Sequence, residues 1–175
     1  MPFRFLSTWL IIASALLAGC ADDAERARRA YNRGVEHSDA GRFRQAAASY
    51  EEAMRNKPDD AKVHYTLGVA YGKLGRYDDA VAAYKEAIRF RPDYTDAHVN
   101  LGVTYGWLEE NENAVVALKE AIRINSDHAD ARFNLASAYA RLGRREEAYN
   151  EYEALQNISP EHADSLEKLL FRESR

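Results

Sequence analysis

A solenoid of repeated units behind an export segment is the architecture that the sequence predicts, and two observations carry it. Behind residue 26, the same residue types return every 34 positions over almost the whole remaining chain. The first twenty residues follow a different pattern: one cation, an apolar run, and small residues ahead of Cys20. A fixed period of this length marks an architecture in which each unit packs only on its neighbours.

The N-terminus reads MPFRFLSTWLIIASALLAGC. Arg4 supplies a short positive region, an apolar run from Trp9 to Ala18 is broken only by Ser14, and Ala18 and Gly19 precede Cys20. These are the three parts of a secretory signal peptide. The run is shorter than the roughly 20 apolar residues that cross a bilayer as a helix. Leu17-Ala18-Gly19-Cys20 resembles the lipobox of bacterial lipoproteins. The resemblance implies that residues 1–19 are removed, that the Cys20 thiol carries a diacylglyceryl group and, in Gram-negative cells, that the freed amine takes a third acyl chain. One acyl chain holds a protein only weakly, whereas two or more anchor it stably. The resemblance also implies outer-membrane sorting toward the periplasm, because Ala21 rather than the Asp that favours inner-membrane retention in enterobacteria follows the cysteine, although Asp22 and Asp23 sit close by. Residues 20–26 are expected to form the lipidated cysteine and a short linker. An extended chain of that length places the first repeat within about 20 Å of the membrane. Arg26, Arg29 and Arg33 share a helical face there and are candidates to meet phosphate head groups or simply to form a polar cap.

Cys20 is the single cysteine of the 175 residues, so no internal disulfide forms. Apolar residues make up 46% of the chain and charged residues 30%, a composition that supports a packed core. The net charge of −4 argues against nucleic acid, which requires a basic field.

The period is carried by several positions at once. Gly34, Gly68 and Gly102 are 34 apart, as are Ala46, Ala80, Ala114 and Ala148. Tyr50, Tyr84 and Tyr152 share a register that Leu118 completes, and Ala53, Ala87 and Ala121 share one that Leu155 completes. Pro58, Pro92 and Pro160 share another, with Ser126 as the exception, and Tyr71, Tyr105 and Tyr139 a further one. These residues resemble the tetratricopeptide-repeat (TPR) family, whose 34-residue unit is a pair of antiparallel helices. The resemblance implies an all-α solenoid of four helix-turn-helix repeats, 27–60, 61–94, 95–128 and 129–162, closed by a C-terminal capping helix over 163–175.

Each recurring residue then has a task. Small residues let the two helices of a repeat approach, and the large residues at 50, 84, 118 and 152 fill the space between helices. Proline after the second helix stops it, having no N–H to donate. Gly41, Gly75 and Gly143 suit the turn inside a repeat; the third repeat has Leu108-Glu109-Glu110-Asn111 there, with Asn111 the expected left-handed residue. Arg33 and His37 stand where later repeats carry Leu67, Leu101, Leu135 and Tyr71, Tyr105, Tyr139. Terminal repeats need a polar outer face, so 27–60 is the start of the array. At the other end Ala163, Leu166, Leu169 and Leu170 recur at helical spacing, as in a helix that covers the last repeat.

In TPR proteins the first helices line a concave groove. The resemblance assigns to it Tyr31, Tyr65, Val99 and Phe133 (fifth residue of each repeat), Val35, Val69, Val103 and Ser137 (ninth), and Asp39, Lys73, Trp107 and Arg141 (thirteenth). Asn32, Thr66, Asn100 and Asn134 are the sixth residues, and Arg28, Lys62, Asp96 and Asp130 the second. The carboxylate clamp of co-chaperone TPR domains needs Lys and Asn at the fifth and ninth positions, which Tyr31/Val35, Tyr65/Val69 and Val99/Val103 do not provide. The candidate peptide-binding set is Tyr31, Asn32, Tyr65, Val69, Val99, Asn100, Val103, Trp107, Phe133 and Asn134, with the asparagine amides on a peptide backbone. Local bonding is the other use open to those amides. His64 and His98, like His128 and His162, recur through the repeat, and no third ligand comes with either pair. No nucleophile–base pair or phosphate loop stands out, so no catalysis, metal, cofactor, nucleic acid or small-molecule substrate is expected. The expected function is a membrane-anchored scaffold or assembly adaptor of the envelope. Such lipoproteins include pilus pilotins, barrel-assembly lipoproteins and adaptors of peptidoglycan hydrolases, and the residues select none of them. The competing readings are a cytoplasmic adaptor with a misread N-terminus and a non-catalytic component of an enzyme complex.

Overall fold

A computed structural model describes the backbone of residues 4–171 and the side chains of residues 22–169. The side chains of the lipobox-like residues 17–20 and of Leu170 lie outside the latter range. The described residues form helices only: α1 Arg4–Asp39, α2 Phe43–Asn56, α3 Ala61–Lys73, α4 Tyr77–Phe90, α5 Thr95–Trp107, α6 Asn111–Ile124, α7 Ala129–Arg141, α8 Arg145–Ile158 and α9 Pro160–Phe171. Successive pairs make four hairpins and α9 closes the last, the all-α solenoid expected from the period. Among the described residues no helix is long and apolar enough to cross a membrane.

α1 corrects one expectation. Residues 20–26 are not an extended linker but an uninterrupted part of α1. The cause is local: Ala21 to Ala30 contains no glycine, proline or β-branched residue, only good helix formers and acidic residues. Ion pairs one turn apart reinforce it, Arg26–Asp22 at 2.5 Å and Arg29–Glu25 at 2.9 Å. At 1.5 Å per residue, Cys20 stands about 10 Å along the axis from Ala27. The same pairs occupy the arginine face, and Arg33 binds Glu52 at 2.7 Å. Hydrogen bonds from Arg28 and Arg29 hold the Glu25 carboxyl down at about 2. Each of Arg26, Arg29 and Arg33 thus already faces a carboxylate, which favours the polar-cap reading over head-group contact.

Inside each repeat the chain turns through one left-handed residue. Gly41, Gly75 and Gly143 have φ of 70°, 72° and 73°. In the third repeat this residue is Glu109 (φ 62°), not Asn111, which instead opens α6. The turn is a Schellman closure in all four cases, with Arg42, Arg76, Glu110 and Arg144 N–H bonded to the carbonyls of His37, Tyr71, Tyr105 and Tyr139 at 2.8–3.0 Å. That closure fixes the left-handed site by its place in the hairpin, so it falls on Glu109 although asparagine is the better left-handed residue. A side chain there costs about 1 kcal/mol or more. Glu109→Gly is therefore expected to stabilise the protein by about 0.5–1 kcal/mol after the entropy of an extra glycine is counted. A urea titration followed by circular dichroism measures it, and an unchanged or lower midpoint would count against the strain.

The loops between repeats are latched by the fourth residue of the next unit. His64 Nε2 donates to Pro58 O at 2.7 Å and His98 Nε2 to Pro92 O at 2.9 Å. Where Ser126 replaces proline, Arg132 Nε donates to its carbonyl at 2.9 Å. Arg132 also pairs with Glu151 at 2.7 Å, both side chains less than a fifth exposed.

Packing follows the period. A Cβ on Gly68 would lie 2.7 Å from the ring of Tyr84, and one on Gly102 would lie 2.5 Å from Leu118 Cγ, so only glycine admits these side chains. Tyr71 bridges repeats by donating its O–H to Glu51 at 2.8 Å; burial first, then that carboxylate, push its phenol up to about 12. At the start, Arg33 is exposed while Leu67, Leu101 and Leu135 are buried. At the end, Ala163 and Leu166 of α9 pack on Ala136 and Leu155, whereas Leu169 is exposed. α9 begins at Pro160, three residues earlier than expected, because proline fits the first helical turn as well as it stops a preceding helix.

The concave groove as a candidate peptide-binding site

Among the helices that open a repeat, α3 meets α5 and α5 meets α7, and the closing helix α9 meets α7 in the same way. The residues expected in the groove stand along the first helices of the repeats as one wall. Tyr31, Tyr65 and Phe133 are half-buried, as are Val35, Val69 and Val103, and Val99 is buried. This wall is apolar, with polar atoms supplied by the asparagines and by both rims.

Tyr65 is its best-held member. Its ring lies 4.8 Å from Tyr94 and 6.0 Å from Tyr84, and its hydroxyl accepts from Asn100 Nδ2 at 3.1 Å. Burial pushes the Tyr65 phenol up. The three asparagines are not equivalent. Asn100 reaches across to the preceding repeat, Asn134 Nδ2 donates to Asp130 O of its own helix at 2.7 Å, and Asn32 is exposed. A primary amide has two N–H donors and an acceptor oxygen, so one local bond leaves capacity for a peptide unit.

The rims are polar and unlike each other. On one, Lys62 Nζ stands 5.0 Å from the ring of Tyr31, and an open pocket of about 340 Å³ lies among Tyr31, Val63, Arg28, Lys57 and Lys62. Farther along that rim His162 Nε2 meets Asp130 at 3.1 Å and His128 Nε2 lies 4.0 Å from Asp96. His128 also caps α7, its Nδ1 accepting from Ala131 N–H. On the other rim Trp107 is 66% exposed and stacks on Tyr77 at 6.2 Å with an interplanar angle of 5°. Beside it Arg141 Nη1 donates to Gly106 O at 2.8 Å. Sequence reasoning missed Tyr94 and Tyr77. Tyr94 shares its register with Asp60, His128 and His162, and Tyr77 shares its own with aromatic Phe43 but also with Asn111 and Arg145, so the period does not mark them. Among the described residues no three His, Cys, Asp or Glu side chains gather as a metal site would need.

Paired helices stacked around a wall of half-exposed apolar and amide side chains define a helical-repeat solenoid with an open groove. Comparison with known families narrows this class. The profile described as tetratricopeptide repeat matches residues 31–95 and 65–105, one described as TPR repeat matches 108–143, and another tetratricopeptide-repeat profile matches 129–162. The chain belongs to the tetratricopeptide-repeat family. Among solved structures, it is similar to the MamA protein, with a TM-score of 0.79 and 25% identity over 85% of this chain and 82% of that one. YrrB, described as a TPR protein with an unusual peptide-binding site, aligns with a TM-score of 0.72 and 24% identity, covering 83% of this chain and 76% of that one. The first TPR of Spaghetti (RPAP3), bound to the HSP90 peptide SRMEEVD, aligns with a TM-score of 0.67 and 18% identity, covering 69% and 95%. The last two show the shared fold. A search of curated proteins returns no match.

Proposed function

We propose that this chain is a lipid-anchored TPR scaffold of the bacterial envelope that holds a peptide segment of a partner protein in its groove. The observation that carries the groove reading is the apolar wall of half-buried Tyr31, Tyr65 and Phe133 around buried Val99, with Asn100 and Asn134 beside it. Apolar side chains of the partner fill the wall, and the amides meet its backbone. YrrB and the RPAP3 domain, both described with peptide sites, support the mode of binding. An acidic chaperone tail of the kind RPAP3 holds is not the ligand in this reading, because the clamp's lysine and asparagine are replaced by tyrosine and valine here.

The anchor rests on Leu17-Ala18-Gly19-Cys20. Acylated Cys20 then fastens a helix that leads directly into the first repeat, and the groove works close to the bilayer, at the periplasmic face of the outer membrane. The scaffold has no catalytic step of its own and assembles what it holds. Mass spectrometry of the membrane fraction tests the anchor: an N-terminal peptide beginning at acylated Cys20 is the expected result, and an unmodified Met1 terminus in the cytosol would overturn it. Selection from a displayed peptide library tests the groove. Enriched sequences should bind the native chain and lose affinity to a Tyr65→Ala/Asn100→Ala chain; equal binding to both would remove the groove as the site.

A further inference from the structure

The third repeat breaks the tyrosine ladder and leaves a space behind. In the second repeat the ring of Tyr84 lies against Gly68, and its hydroxyl stands 4.0 Å from the Cβ that Gly72 would carry. The third repeat keeps both glycines, as Gly102 and Gly106, but has Leu118 in place of the tyrosine. Leucine fills the Gly102 end only; at the Gly106 end the nearest side-chain atom is Arg141 Nη1, at 3.8 Å. A cleft of about 120 Å³ opens there, lined by Gly106, Asn111, Leu118, Ser137 and Arg141 among others. Its volume is close to the ~150 Å³ that accepts benzene in a protein interior. The space is that of a missing aromatic ring.

Its polar lining narrows the occupant. Asn111 Oδ1 is buried without a hydrogen-bond partner, the one such side-chain atom among the described residues. Asn111 Nδ2 donates to Glu109 O at 3.3 Å, which fixes the amide orientation, since the flipped amide would set two oxygens against each other. Asn111 Oδ1 is closed off from solvent, so a donor from outside the chain reaches it as the side chains at the cleft shift to admit one. Ser137 does not supply it, because its hydroxyl donates to Phe133 O at 2.9 Å. At the cleft, Arg141 presents a guanidinium, a group that stacks on aromatic faces. The chain already uses that pairing at Arg76 over Tyr71 (4.3 Å) and Arg144 over Tyr139 (4.6 Å).

We infer that this cleft is a specificity pocket for a tyrosine side chain of the bound segment: its ring takes the place left by Leu118, its O–H donates to Asn111 Oδ1, and Arg141 covers its face. The inference rests on the groove reading, since Val103, Trp107 and Asn134 belong to both. The probe is N-acetyl-L-tyrosinamide, titrated into the 15N-labelled full chain in detergent. Saturable shifts of the Gly106, Asn111 and Ser137 amides are expected, with a Kd on the order of 1 mM. N-acetyl-L-phenylalaninamide, lacking the donor, should bind about fivefold more weakly. Leu118→Tyr closes the cleft with the side chain that the second repeat already packs, so it should abolish these shifts while the melting temperature holds or rises. Gly106→Ala narrows the cleft without entering the core and serves if Leu118→Tyr misfolds; it should weaken the probe. No saturable shift in the native chain, equal shifts in the filled variants, or equal binding of the phenylalanine probe would each overturn the pocket as drawn. A library peptide that binds Leu118→Tyr as tightly as the native chain would remove the pocket and leave the groove standing. Probe binding in the cleft, with peptide affinity indifferent to Tyr65→Ala/Asn100→Ala, would do the reverse.

Discussion

Replacing Tyr84 with alanine is expected to cost about 4 kcal/mol of stability, close to a thousandfold in the folded-to-unfolded ratio. Tyr84 is 3% exposed and fills the space between α3 and α4 that Gly68 leaves open. Removing the ring leaves a cavity walled by the backbone of Gly68 and Gly72, which carry no side chain to move into it. Buried aromatic-to-alanine changes fall at about 3–5 kcal/mol, and a wall that cannot collapse belongs to the upper part of that range. Tyr65 also loses its neighbour at 6.0 Å, so the damage reaches the groove. Because stability in a solenoid depends on nearest-neighbour interfaces, weakening the second repeat separates the first from the third and fourth. Urea unfolding followed by circular dichroism should show a lower midpoint and a broadened or split transition. A loss under about 1 kcal/mol would mean that the ring is not the filler its place implies.

The second large effect is on binding. Tyr65→Ala is expected to weaken a groove-bound peptide by about 30-fold or more, the range of an aromatic hot spot near the centre of an interface. Tyr65 sits midway along the inner wall, is held by Tyr94, and presents a hydroxyl already bonded to Asn100. Alanine removes the ring and releases the asparagine together. Tyr65→Phe separates the two contributions: the ring remains, the Asn100 amide loses its partner, and affinity should stay within about fivefold of the native value. Calorimetric titration with a peptide selected on the native chain measures both, at a temperature where circular dichroism shows each variant folded. If Tyr65→Phe lost as much as Tyr65→Ala, the hydroxyl rather than the apolar face would be the anchor.

Particular residues show how far the sequence could be read. Gly41, Gly75 and Gly143 announced their turns because only glycine is at ease at positive φ. In the third repeat local preference pointed to Asn111, but the closure of the helix hairpin put the left-handed residue at Glu109. Geometry repeated through the array outweighed the propensity of one side chain. The fifth and ninth residues of each repeat can be picked out by the period, whereas Tyr94, Tyr77 and the Arg132–Glu151 pair each occupy a register that varies from repeat to repeat. The expected linker over 20–26 failed differently: reading residues 1–19 as an export segment suggested a break in the chain, while the alanines and one-turn ion pairs that follow them propagate a helix.

By itself, the sequence determined the number of repeats, the places where helices turn and the polar character of the first repeat's outer face. The first two depend on local propensity and on contacts that recur every 34 residues, and the third shows as a departure from that recurrence at Arg33 and His37. Only the tertiary structure decided that α1 runs unbroken into the array, that Asn100 is tied to Tyr65, and that Leu118 leaves a cleft beside an unpaired Asn111 oxygen. The latter two happen once. They depend on which side chains meet in space, and a period records what the repeats share while saying nothing of the one place where a ring is missing.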